Sequence, residues 1–111
     1  MSDSSPDSTG AHGGVKKIGD QETCGVRVEG GFMRRFVTPG RDIVLHLDGW
    51  PEPVRLPYSP EIHGACPEFR APELMAWFKE KRLLHWGKGE PPEFTVEALK
   101  EENHFFIRPL G

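Results

Sequence analysis

An α+β domain is predicted: a small antiparallel β-sheet, or an SH3-like partial barrel, with one principal α-helix and a disordered N-terminal tail. Three observations lead there. The first 31 residues contain no Phe, Tyr or Trp, whereas residues 32–106 contain all eleven. Short apolar runs from residue 24 onward are divided by Gly-Gly, Pro-Gly and Asp-Gly, which are turn signals. One stretch, opened by Pro72, has helical spacing.

The tail comes first. Residues 1–22 (MSDSSPDSTGAHGGVKKIGDQE) are dominated by Ser, Asp and Gly. So little apolar surface does not offset the entropy of ordering the chain, so a disordered tail is expected over 1–22 and a single small domain over 23–111. Within the tail only Val15-Lys16-Lys17-Ile18 offers a partner any hold.

Within the domain, residues 24–28 alternate around Val26 and Val28 and meet Glu29-Gly30-Gly31. Residues 32–37 follow and end at Thr38-Pro39-Gly40. A Gly-Gly pair between two such runs predicts a first hairpin, because both glycines tolerate positive φ. Its register stays open, since both faces of the second run carry an Arg beside apolar residues.

The second hairpin is better specified. Ile43, Leu45 and Leu47 share a face, Asp48-Gly49 is a favoured two-residue turn, and residues 50–56 return. That turn pairs Leu47 with Trp50 and Val44 with Pro53. Pro51 and Pro53 then point away from the partner strand, which confines the strand to a sheet edge.

Residues 57–70 form a loop with three prolines and a glycine. Pro72 and Glu73 open the principal helix, which runs to about residue 84 with Leu74, Trp77, Phe78 and Lys81 at helical spacing. Residues 94–103 read two ways, with a short helix the expectation and a strand the alternative. Thr95 as N-cap with Val96 and Leu99 inward favours a helix, and Phe94, Val96 and Ala98 alternate as a strand does. Residues 104–108 are apolar on both faces and predict a central strand.

Composition removes several function classes. Net charge is −3, of which residues 1–22 hold −2. The domain has 12 basic against 13 acidic residues, so generic phosphate-backbone binding is not expected. No apolar run approaches membrane-spanning length and no hydrophobic leader opens the sequence, so a cytoplasmic protein without membrane partners is expected. Two cysteines do not make a disulfide scaffold. The only serine beyond the tail, Ser59, lies between Tyr58 and Pro60, outside any nucleophile-elbow context. No nucleotide-binding glycine loop occurs. No enzyme activity and no cofactor are expected.

Three binding readings remain. Trp50, Pro51, Pro53, Tyr58 and Pro60 place aromatics beside prolines on an edge strand and its loop, which suits an extended segment of another protein. The leading expectation is therefore a non-enzymatic protein-binding accessory or regulatory module. The alternative is single-stranded nucleic acid held by Arg27, Arg34, Arg35, Lys81, Arg82 and Trp86, through phosphate contact and stacking. The interspersed acids Glu29, Asp42, Glu73 and Glu80 weigh against it. The third reading is a metal at His63 and Cys66, spaced His-x-x-Cys. A structural zinc site would need two more ligands, from His46, Cys24, His85 or His104, and no second pair exists in the sequence. No metal is therefore expected.

Overall fold

The computed structural model describes residues 7–18, 21–65, 67–83 and 91–110. The elements are β1 (Ser8–Ile18), β2 (Gln21–Val28), α1 (Gly30–Phe36), β3 (Ile43–Leu47), β4 (Val54–Leu56), a 3-10 turn (Pro60–His63), β5 (Glu68–Arg70), α2 (Pro72–Glu80), β6 (Glu93–Ala98) and β7 (His104–Pro109). The strands form one sheet in the order β4-β3-β7-β6-β1-β2-β5, curled into a nearly closed barrel. The α+β class and the partial barrel agree with expectation. The sheet is not antiparallel throughout, however: β3 and β7 run parallel, with Val44 beside His104 and Leu47 beside Ile107.

Alternation fills the interior. Val26, Val28, Ile43, Leu45, Phe69, Phe94, Val96, Phe105 and Ile107 point inward and are buried. The helices close the two ends. At one end α1 follows β2, and Thr38, just beyond it, is bonded to Asn103 at the start of β7. At the other end α2 sits below the end of β3, where the Trp77 indole N–H donates to the Asp48 carbonyl at 2.9 Å. α2 starts at Pro72 as predicted and buries Leu74, Trp77 and Phe78, but it stops at Glu80.

Four expectations are corrected. First, β1 occupies most of the predicted tail and lies inside the sheet, paired with β2 on one side and β6 on the other. The composition argument counted side chains. Over residues 8–14, β1 gives the core little more than Ala11, but its backbone joins two strands and Gly13 gives clearance. A Cβ on Gly13 would stand 2.9 Å from the ring of Phe78 and 3.0 Å from Pro92. Residues 1–6 lie outside the described residues.

Second, the Gly-Gly pair opens α1 and not a hairpin. Phe32 and Phe36 are i,i+4 neighbours with centroids 4.7 Å apart, and Met33 and Val37 are the next such pair. Phe32, Met33 and Val37 are buried while Arg34 and Arg35 face out. An Arg on each face of a supposed strand was the mark of a 3.6-residue period.

Third, β4 is an edge strand as predicted, but its register is shifted by two. Ile43 stands opposite Leu56, Val44 opposite Arg55 and Leu45 opposite Val54. The Trp50 N–H donates to the Leu47 carbonyl at 2.9 Å, and Gly49 has φ +77°. Asp48 does not take positive φ, so this is not the twist-matched turn in which both central residues do. The strands splay, and pairing begins only at Leu45 and Val54.

Fourth, residues 93–98 are strand β6 and not a helix: Phe94 and Val96 are buried and Glu97 is exposed. The turn into β7 is fixed by Asn103, which is 3% exposed at φ +62°. Its side chain accepts from the Thr38 N–H at 2.7 Å and donates to the carbonyls of Thr38 and Arg41 at 3.0 and 3.1 Å. β7 lies between β3 and β6, away from both edges, as expected.

Candidate functional site

Backbone parity shows which groups face the barrel's open seam. Val44 N–H donates to the Asn103 carbonyl at 2.8 Å and Asp48 N–H to the Ile107 carbonyl at 3.0 Å. Even-numbered residues of β3 therefore face β7, and odd ones face β4. Val54 and Leu56, opposite Leu45 and Ile43, exchange bonds with β3. Arg55 turns both its N–H and its carbonyl to the outer edge. The same parity, carried one residue beyond each end of β4, aims the carbonyls of Pro53 and Pro57 outward, and neither has an N–H to offer. Among the described residues, no hydrogen bond reaches the outward backbone groups of Arg55.

β5 forms the other margin of the seam. Val28 N–H donates to the Pro67 carbonyl at 2.9 Å, and Val26 stands opposite Phe69. Phe69 thus bonds to β2, while Glu68 and Arg70 direct their backbone groups away from β2. Their side chains form an ion pair, with only 9% of the Glu68 side chain and 24% of the Arg70 side chain exposed. Between the two margins lies a cavity of about 240 Å³ lined by Leu56, Pro57, Ser59, Glu61, Ile62, Glu68 and Arg70. Its lining joins the buried Leu56 and Ile62 to the exposed Pro57 and Glu61.

The proposed partner residues flank β4 on both sides. Pro51 and Pro53 are exposed in the segment before it, and Trp50 is half-buried against the core near the α2 end. Tyr58 and Pro60 follow it at the α1 end. Tyr58 is half-buried, and its hydroxyl lies 2.6 Å from His63 Nδ1. His63 Nε2 is 3.0 Å from the carbonyls of Met33 and Val37. Two carbonyls can only be met by a proton, so Nε2 carries an N–H, and in the neutral ring the Tyr58 hydroxyl donates to Nδ1. This chain ties the loop after β4 to the C-terminal end of α1.

That assignment engages both ring nitrogens of His63, and Cys66 lies outside the described residues. The further ligands that a zinc site would require do not gather around His63. Cys24 is buried at the opposite end, its Sγ 3.5 Å from Met75 Sδ. His46 Nε2 and His104 Nδ1 are 3.0 Å apart on the outer face of β3 and β7, with Glu101 3.5 Å from His104 Nε2. His85 is outside the described residues. Among the described residues no three His, Cys, Asp or Glu side chains are placed to hold a metal ion.

The basic residues are divided. Arg34 and Arg35 sit on α1 at one end of the barrel, and Lys81 and Arg82 follow α2 at the other. Arg27 is on the outer face of β2, across from His12 and Glu68. Trp86 lies outside the described residues. A cavity of about 310 Å³ beside α1 is lined by Ser8, Thr9, Glu29, Gly31, Phe32, Arg35 and Phe36, and the Arg35 guanidinium lies 5.2 Å from the centroid of the Phe36 ring. Sequence reasoning named Arg35 but not this cavity, which β1 completes. No helix among the described residues is long and apolar enough to cross a membrane. Comparison with protein-family models, curated proteins and solved structures finds no match for this chain.

Proposed function

We propose that this chain is a non-enzymatic protein-binding module that holds an extended segment of another protein along the β4 edge and over the seam cavity. One observation carries the reading: an edge strand whose outward backbone groups are unpaired among the described residues stands beside a cavity bounded by the opposite edge of the same sheet. Strand addition to such an edge draws affinity from main-chain bonds and specificity from pockets for alternate side chains. The exposed prolines and the half-buried aromatics Trp50 and Tyr58 frame the edge at both ends. The test is affinity capture from native lysate with nuclease treatment. The reading expects a retained protein that Tyr58→Ala releases and that nuclease leaves in place.

A second reading, single-stranded nucleic acid at the α1 end, is favoured by one observation: Arg35 over Phe36 at the 310 Å³ cavity pairs a cation with an aromatic face, as base-stacking sites do. Retention that nuclease abolishes, and that Arg34→Ala with Arg35→Ala abolishes at low salt, selects this reading over the first.

A further inference from the structure

Resting on the protein-binding reading and deepening it, we propose that the β4 edge accepts an antiparallel strand from a different protein in one register. A non-proline, acidic residue stands directly opposite Arg55, and the edge rejects a second copy of itself. Arg55 is the one outward-facing residue at this edge that offers both an N–H and a carbonyl. An incoming strand can exchange a full pair of hydrogen bonds only there. At Pro53 and Pro57 the edge only accepts, so the residues two before and two after the centre must each supply an N–H. Proline at any of these three positions removes a bond that nothing else replaces. A slip of the incoming strand by two residues puts its central pair on a proline, so the single donor fixes the register.

Side-chain direction supplies the rest of the pattern. The residue opposite Arg55 shares its outer face, and the guanidinium is available to it. Arg55 contacts Asp42 at 3.6 Å, but both side chains are more than half exposed, so that pair is weak and readily exchanged. The neighbour opposite Leu56 points to the inner side, where the buried Leu56 and Ile62 line the seam cavity, and there an apolar side chain fits. A second copy fails on the same grounds. Two-fold pairing about Arg55 sets Arg55 against Arg55 and Pro53 against Pro57, which combines like charges with missing donors.

The test is selection from a displayed library of random nine-residue peptides on the full chain. The selected pool should exclude proline at the centre and at two residues on either side, and carry Asp or Glu at the centre, preferred over Ala by up to about five-fold. A selected peptide should move the Arg55 amide resonance, and proline at its centre should weaken binding by at least about five-fold. In Arg55→Glu, an exposed change, the pool should turn to Lys or Arg at the centre. The wild-type chain should sediment without dimerising through β4. A pool without this positional pattern, an unchanged preference in Arg55→Glu, resonance shifts away from β4, or a β4-mediated dimer overturns the proposal. Patterned peptides with no protein retained from lysate would sink the module reading and leave the register standing. A Tyr58-dependent protein captured while peptides show no pattern would do the reverse.

Discussion

Gly13→Val separates a strand from a tail. The Cβ it adds would stand 2.9 Å from Phe78 Cε2, 3.0 Å from Phe78 Cζ and 3.0 Å from Pro92 Cγ. Phe78 cannot step aside. It is fully buried, stacked on Phe94 at 5.4 Å and tilted against Trp77 at 5.9 Å. Pro92 is tied in as well, since the Gly13 N–H donates to its carbonyl at 2.8 Å. Overpacking of this kind costs about 1–3 kcal/mol, and at about 4–8 °C per kcal/mol for a domain of this size the melting midpoint should fall by roughly 5–20 °C. Gly13→Ala places the same Cβ, but its loss is offset by about 0.4–1 kcal/mol from restricting the unfolded chain, so a smaller drop is expected. The control is Gly10→Ala, on the same strand, where an added Cβ meets nothing within 4 Å. It should be neutral or slightly stabilising. The assay is thermal unfolding by near-UV circular dichroism. If Gly13→Val melts like wild type, β1 is not seated under Phe78 and the reasoning fails.

Other substitutions test the elements around the seam. Trp77→Ala should be among the most damaging single changes, about 3–5 kcal/mol by chemical denaturation, because the ring is fully buried and its indole N–H is bonded to Asp48. Tyr58→Phe keeps the ring and removes only the hydroxyl that donates to His63. A loss of about 0.5–1.5 kcal/mol in denaturation and faster amide exchange over residues 58–64 are expected, and unchanged exchange there would count against the latch. Asn103→Ala should destabilise more than Asn103→Gly, since both lose the bonds to residues 38 and 41 but only alanine must also hold φ +62°. Equal melting midpoints would refute that ordering.

Local rules read some of this architecture well. Pro72 with Glu73, then Leu74, Trp77 and Phe78, specified α2 because start signal, dipole and apolar period agreed. The β3–β4 hairpin was legible in its faces and its edge position but not in its register. The error left parity intact: a shift of two residues keeps Val54 and Leu56 inward and Pro53 turned to the outer side, which is why the edge assignment survived a wrong turn type. α1 and β6 were misread where two periods competed over ten residues or fewer, and burial then chose the period. β1 was illegible for a different reason. Over residues 8–14 its contribution is backbone pairing and absent side chains, and composition assigns no value to either.

The candidate site shows the same division on a larger scale. Its chemistry rests on Arg55, between Pro53 and Pro57, and on Leu56, Ile62, Glu68 and Arg70, which are neighbours only because β4 and β5 end up at opposite margins of one curled sheet. Sequence reasoning reached the prolines and Tyr58 because turn and edge rules act locally. It passed over Arg55, whose importance comes from parity and not from its charge: among the outward positions at this edge, it alone keeps its donor. The basic residues that sequence proximity grouped as a nucleic-acid surface are instead divided between the two barrel ends, with Arg27 on the wall and Trp86 outside the described residues. A sheet margin poor in donors blocks pairing with its own kind and still leaves carbonyls for a partner that brings N–H groups. On the proposed reading, protection from self-association and selection of a partner would both follow from the same three residues, Pro53, Arg55 and Pro57.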